Sequence, residues 1–288
     1  ATGRASTPVA TWTDRYTYDE GGCTTTLPHL AAMSWDLGGR LASTATQVVV
    51  APGAVPETTH YDYDGDGERT RLTIDRTAAM GTEPTVRAQR LYLPGLVIDR
   101  ELAADGSVTL IRETLRVDTG EETLALVQTR TFGTDAGPGT LVRHQYANHL
   151  GSATLELAQD ADVVSYEEYF PYGGTAYAAV RSALEAPKRE RWLGKQRDPS
   201  GLVDIGVRYY APWLGRWLSP DPSETADGLN FYLYAKANPV TLRDSNGREV
   251  EAYYIAPGRP GNQPWMWFLG ISAHRLIAYH YEGSHLNE

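Results

Sequence analysis

Two aspartates that each precede a proline, Asp198 and Asp221, stand 23 residues apart in this chain. Two carboxyl groups close enough to share a proton form an acid–base pair, one ionised to activate water and one protonated to polarise a carbonyl. Asp-Pro is also a common start of a turn, with the Asp side chain bonded to nearby amides. The spacing permits a pair, because a hairpin near Ala211–Gly215 would send the chain back toward residues 198–205. Asp204 lies inside that region and is a rival partner. Arg191 and Arg197 stand close by in sequence. Such arginines hold a carboxylate through paired hydrogen bonds, or brace turns and stack on aromatic rings.

The elements that must position these residues read as strands. Three early stretches, RYTYDEGG (15–22), SWDLGGRL (34–41) and HYDYDGDGERTRL (60–72), form an irregular repeat: aromatic, Asp, turn residues with Gly, then a returning apolar run. This pattern predicts a strand ending on Asp, a tight Gly turn and a second strand. Residues 88–115 continue with RLYLPGLVIDRE, an Asp105-Gly106 turn and SVTLIRETLRV, and residues 122–132 and 141–146 are runs of the same kind. Only Ala176–Glu185 (AYAAVRSALE) predicts a short helix, stopped before Pro187.

Composition narrows the function. The formal net charge is −10 and the pI is about 5.2, which argues against nucleic acid as a partner, since phosphate binding needs a basic face. A single cysteine, Cys23, excludes a disulfide framework and a cysteine-rich zinc site. The Asp62–Gly67 run has the opening spacing of a calcium loop, but Thr73 stands where the bidentate Glu belongs, so it reads as a turn. His274, His280 and His285 match no helical metal pair, and Ser152 near His149 lacks an orienting acid. The apolar stretch Trp265–Tyr281 is broken by charged and polar residues and makes a poor membrane span. The ends read as boundaries within a longer chain.

From residue 146 onward the motifs become specific. YANHLGSATLEL, SYEEYFPYGGTAY, RWLGKQRDPSGL, VRYYAPWLGRWLSPDP and DGLNFYLYAKANPV follow in order. Together they resemble the Rhs repeat-associated core, and the early units resemble YD repeats of the same family, closest to the C component of Tc toxins. The resemblance implies a mainly β fold, in which a ribbon of hairpins spirals into a hollow shell closed by the core as a plug. It implies an aspartic autoprotease that cuts once, just after a closing Asp-Pro-x-Gly motif, with Asp198 and Asp221 at the catalytic positions. No cofactor is implied. The partners would be the chain's own C-terminal toxin segment, the rest of the shell and a secretion or translocation component of Tc or type VI kind, and the protein would be exported.

The expected layout is repeat strands over residues 1–135, a core over 136–247 and the start of a variable region over 248–288. The closing motif departs from the family: Asp244-Ser245-Asn246-Gly247 replaces Asp-Pro-x-Gly, and Arg248-Glu249 follows where an apolar residue is usual. Losing the proline removes a fixed φ. Cleavage is expected near Gly247, Arg248 and Glu249. The altered motif keeps two alternatives open: a non-catalytic β scaffold or adhesion module akin to teneurins, and an activity encoded only beyond Arg248.

Overall fold

The computed structural model describes residues 16–48, 53–119, 123–182, 188–222 and 229–252, and the backbone of the strands at 267–272 and 275–280. Its centre is one antiparallel sheet of twelve strands, β1 (Leu30–Trp35) through β12 (Thr175–Val180), paired in chain order. Every neighbour in the sheet is therefore a neighbour in sequence, which is what a succession of Asp-Gly hairpins produces. No α-helix occurs among the described residues.

The repeated Asp motif has one geometry. At Asp36 the backbone N–H bonds the Arg40 carbonyl, the Gly39 N–H returns to the Asp36 carbonyl, and Asp36 Oδ1 accepts from Gly38 and Arg40 N–H at 2.9 and 2.8 Å. Asp64 repeats this, with Asp66 and Glu68 N–H at 3.0 and 2.9 Å, so the run that imitates a calcium loop is a hairpin turn. Asp19 caps the Cys23 N–H in the same way, and Asn148 serves the turn before Ser152.

The helix expected over Ala176–Glu185 is replaced by β12, which pairs with β11 (Val163–Tyr169). The turn before it decides the outcome: Phe170 N–H bonds the Gly174 carbonyl and Gly173 N–H the Phe170 carbonyl, which folds the chain back onto β11. So short a helix gains little by itself, and pairing with β11 satisfies the backbone instead. Residues 183–187 of that prediction lie outside the described residues.

Beyond the large sheet, β13 (Val203–Ile205), β14 (Arg208–Ala211) and β15 (Arg216–Trp217) form a three-stranded sheet. Strand alternation splits its side chains between two cores. Leu202, Tyr209, Ala211 and Leu218 pack with Leu30, Leu41, Tyr61 and Leu72 of the large sheet. Val203, Ile205, Tyr210 and Trp217 pack on the other side with Trp192 and Tyr234. The Tyr210 ring stacks on Trp192 at 5.0 Å and meets Trp217 edge-on at 5.5 Å. Large aromatic area on both faces is what makes so small a sheet a rigid mount. A last pair, β16 (Leu242–Asp244) and β17 (Val250–Ala252), closes the hairpin that carries Asp244-Ser-Asn-Gly247.

Candidate active site

Two arginine-centred acid clusters flank the three-stranded sheet. The first is built on Arg69, at the start of β4 (Arg69–Asp75). Its Nη1 donates to Asp198 Oδ2 at 2.7 Å and to the Tyr209 hydroxyl at 2.9 Å, and its Nε lies 3.3 Å from Asp204 Oδ2. The guanidinium also lies over the Tyr92 ring, 4.6 Å from its centroid. Burial pushes the Asp204 carboxyl up to about 6 against the pull of Arg69, with the negative charge of Asp198 adding to the rise.

Asp198 answers the question of turn residue or reagent in an unexpected way. Its backbone makes the same turn as Asp36 and Asp64: Asp198 N–H bonds the Leu202 carbonyl and Gly201 N–H bonds the Asp198 carbonyl. Its side chain does not cap that turn. Ser200 Oγ accepts the Leu202 N–H instead, at 3.4 Å, while Asp198 Oδ2 reaches Arg69 and Oδ1 is buried with no hydrogen bond.

The second cluster is built on Arg208 of β14, from the opposite face. Arg208 Nη2 lies 3.0 Å from Asp221 Oδ2 and 3.2 Å from Asp244 Oδ2. Its Nε donates to the carbonyl of Gly247 at 2.6 Å, and its guanidinium sits 4.1 Å above the Trp217 ring. All of these groups are buried: Arg208 is 2% exposed, Asp221 9% and Asp244 0%. Burial raises the Asp244 carboxyl to about 6, with Arg208 and the amides of Gly247 and Asn246 pulling it down.

The closing turn is held without its proline. Asp244 Oδ1 accepts from Gly247 N–H at 2.7 Å and Asn246 N–H at 3.3 Å, and Asn246 Oδ1 accepts from Arg248 and Glu249 N–H at 2.8 and 3.1 Å. The turn lies directly against the β13–β14 turn. Val207 N–H bonds the Asn246 carbonyl, and a Cβ on Gly206 would stand 2.7 Å from that oxygen. A Cβ on Gly247 would stand 2.6 Å from the Ile205 carbonyl. Both glycines have positive φ, +68° and +77°, so two backbones meet where only glycine fits. A cavity of about 770 Å³ opens beside them, lined among others by Arg69, Asp204, Gly206, Asn246 and Arg248.

The structure gives the two acids singled out in sequence, Asp198 and Asp221, different arginines. Asp198 is bonded to Arg69 and shares it with Asp204, whereas Asp221 shares Arg208 with Asp244. The reason is strand alternation: Asp204 and Tyr209 are cross-strand partners on one face, and Arg208 leaves β14 on the other. Arg197 braces the Asp198 turn through the Gly201 carbonyl at 3.2 Å, and Arg191 bonds Glu167 at 3.0 Å. Ser152 accepts the Leu193 N–H, and His149 reaches the Val240 carbonyl. Arg69 and Arg208 were missed. Arg208 sits in the quoted VRYYAP motif, while Arg69, far away in sequence, carries no local signal. Of the three tail histidines, His274 and His285 lie outside the described residues, and His280 is described in backbone only.

Comparison with known proteins gives these clusters a context. No family model matches the chain. It is 37% identical to toxin subunit YenC1 of Yersinia entomophaga over 233 residues, 78% of this chain, and 38% identical to YenC2 over 222 residues, 75% of this chain. The chain is a homologue of the Tc toxin subunits. The crystal structure of TcdB2-TccC3-TEV superposes with a TM-score of 0.71 at 35% identity over 80% of the chain. A Tc holotoxin pore structure from Photorhabdus luminescens gives 0.70 at 33% identity over 84%. The mainly β, antiparallel architecture is thus that of the matching part of these Tc toxin assemblies. The chain spans only 22% of the length of each Yersinia subunit and 11% of the solved chains. Among the described residues no helix is long and apolar enough to cross a membrane.

Proposed function

We propose that this segment of a Tc-type, Rhs-like shell cuts its own backbone once, at the closing turn, and thereby frees the chain that follows. The observation that carries this reading is the Arg208 cluster: two buried carboxyl groups, Asp221 and Asp244, on one guanidinium that also holds the Gly247 carbonyl. Two acids against one cation favour a state with one proton retained, which is the state acid–base hydrolysis needs. The ionised carboxylate takes a proton from water as its oxygen adds to the carbonyl carbon. The protonated carboxyl hands its proton to the leaving nitrogen as the C–N bond breaks. The products are a carboxylate and an amine near Gly247, Arg248 and Glu249, and no cofactor takes part. The neighbouring cavity gives water a route to the turn.

On this reading residues 1–135 and 136–247 are shell wall and core, and 248–288 open the released region. The rest of the shell, the released segment and a delivery apparatus are its partners, and the assembly is exported. A second reading keeps Asp198 as the partner of Asp221. It is favoured by one observation, that the Asp198 side chain is withheld from its own turn and leaves Oδ1 unbonded.

Intact mass of freshly expressed wild type, Asp221→Asn, Asp244→Asn and Asp198→Asn separates these. Self-cleavage predicts a wild-type product ending within 247–249. Loss of the cut in Asp221→Asn and Asp244→Asn, with Asp198→Asn still cut, supports the Arg208-centred pair. Loss in Asp198→Asn with Asp244→Asn still cut transfers the role to Asp198. A folded wild type that stays whole makes the chain a non-catalytic scaffold.

A further inference from the structure

We propose that Asn246 is a positioning residue for the cut: its side chain holds the two amides beyond Gly247 and so selects Gly247–Arg248 as the bond that breaks. The inference rests on the self-cleavage reading and names within it one bond and the side chain that fixes it.

Asn246 does not serve its turn as the other turn residues do. At Asp36, Asp64 and Asn148 the main-chain carbonyl of the first turn residue accepts the N–H three residues on, which closes the turn. The Asn246 carbonyl is given away instead, to Val207 N–H at 3.2 Å on the β13–β14 turn. Its side chain takes over the forward closure: Oδ1 accepts Arg248 N–H at 2.8 Å and Glu249 N–H at 3.1 Å. One residue thus ties the small sheet through its main chain and the departing segment through its side chain. Asn246 is exposed while Asp244 and Gly247 beside it are buried, so the side chain fills no core position. The Gly247–Arg248 peptide is held at both ends, its carbonyl by Arg208 Nε and its N–H by Asn246. A peptide fixed in this way presents its carbonyl carbon to water in one orientation, and such reactions depend steeply on placement. The hydrogen bond also gains strength along the reaction. The water oxygen bonds to the Gly247 carbonyl carbon, the C–N bond to Arg248 breaks, and the Arg248 nitrogen is protonated and becomes a cationic amine. A bond from a charged donor to Oδ1 is shorter and stronger than one from an amide. Proline at 245 offers an independent way to stiffen the same turn without touching these amides. Asp244 ends β16 in the extended backbone that a residue before proline adopts, and Ser245 is not among the residues of positive φ.

The experiment is a time course of self-cleavage in the full chain, with the mass of both fragments giving the rate and the exact ends. Wild type is compared with Asn246→Leu, Asn246→Asp and the double variant Ser245→Pro with Asn246→Leu. Wild type is expected to give one product ending at Gly247. Asn246→Leu is expected to cut about 30-fold more slowly, the scale of two ordinary hydrogen bonds, and to scatter its ends over residues 247–249. Asn246→Asp keeps an acceptor and is expected to keep both the rate and the single end. The proline double variant is expected to regain only part of the rate and to leave the ends scattered. Cleavage of Asn246→Leu at the wild-type rate with a single end overturns the proposal. So does an Asn246→Asp chain as slow and as scattered as Asn246→Leu, because the acceptor then has no role. Full recovery of rate and single end by proline overturns it too, since the side chain would then only have stiffened the turn. A wild type cut after Arg248 or Glu249 overturns the choice of bond. In each of these outcomes wild type is still cut, so the self-cleavage reading stands; a wild type that remains whole overturns that reading, and this inference falls with it.

Discussion

At the scale of the residue, the acids define a pH dependence. Asp244 is raised to about 6 chiefly by burial, so near neutral pH it has largely lost the proton that an acid–base pair must keep. If Asp244 donates that proton, the rate of self-cleavage is expected to fall as pH rises above about 6, approaching tenfold per unit. Quenched time courses across pH 5 to 8 check this. A rate that climbs through the same window would mean that Asp244 works only when ionised. Much of this site was legible in sequence, since Asp221 and the closing segment at Gly247–Glu249 were both singled out there. Which acid shares an arginine with Asp221 was not legible, because a 23-residue spacing fits Asp198 with Asp221 and equally Asp221 with Asp244. Which face of a four-residue strand a side chain leaves from is set by packing, and Arg208 emerges on the side of Trp217 and Asp244.

At the scale of the element, the decisive contact is between two turns. The closing turn reaches Arg208 because Gly206 and Gly247 let backbones approach closer than any Cβ allows. Gly206→Ala places a methyl 2.7 Å from the Asn246 carbonyl and also strains a positive φ. The turn must then lift away from Arg208, and we expect cleavage to slow by about tenfold or more, given how steeply such reactions depend on ångström-scale placement. Gly39→Ala is the control: it has a positive φ but open space around it, and it lies in a different hairpin. Equal cleavage by Gly206→Ala and wild type would mean that the turn contact does not position the site. Strands and turns were readable here because the Asp-Gly pattern carries its own hydrogen bonds, as Asp36 and Asp64 show. The helix misread at Ala176–Glu185 shows the limit of local propensity, where the Gly173 turn overrides an alanine-rich run.

At the scale of the whole molecule, Arg69 ties the large sheet to the segment that builds the small one. It leaves β4 of the large sheet, while its acid partners Asp198 and Asp204 belong to the segment that builds the small sheet. With side-chain exposures of 5% for Arg69 and 0% for Asp198, this is a buried ion pair. Removing the cation alone leaves carboxylates uncompensated, so Arg69→Met is expected to cost about 3–5 kcal/mol. Urea unfolding checks that, and a change below 1 kcal/mol would show that relaxed water replaces the guanidinium at little cost. The pH sign also follows. Because burial raises Asp204 to about 6, the folded chain holds that proton more tightly than the unfolded chain. The stabilisation is complete below the unfolded value near 4 and is lost as pH rises through about 6. Asp244 acts in the same direction over the same window. Unfolding midpoints should therefore fall between pH 4 and 6 from these two groups, and Asp204→Asn should flatten that fall. An Asp204→Asn chain with an unchanged pH slope would place the titration elsewhere. On the self-cleavage reading acid has two consequences that act together: it keeps a proton on Asp244 for the proposed acid–base pair, and it relieves the buried charge of Asp204 between the large sheet and the small one.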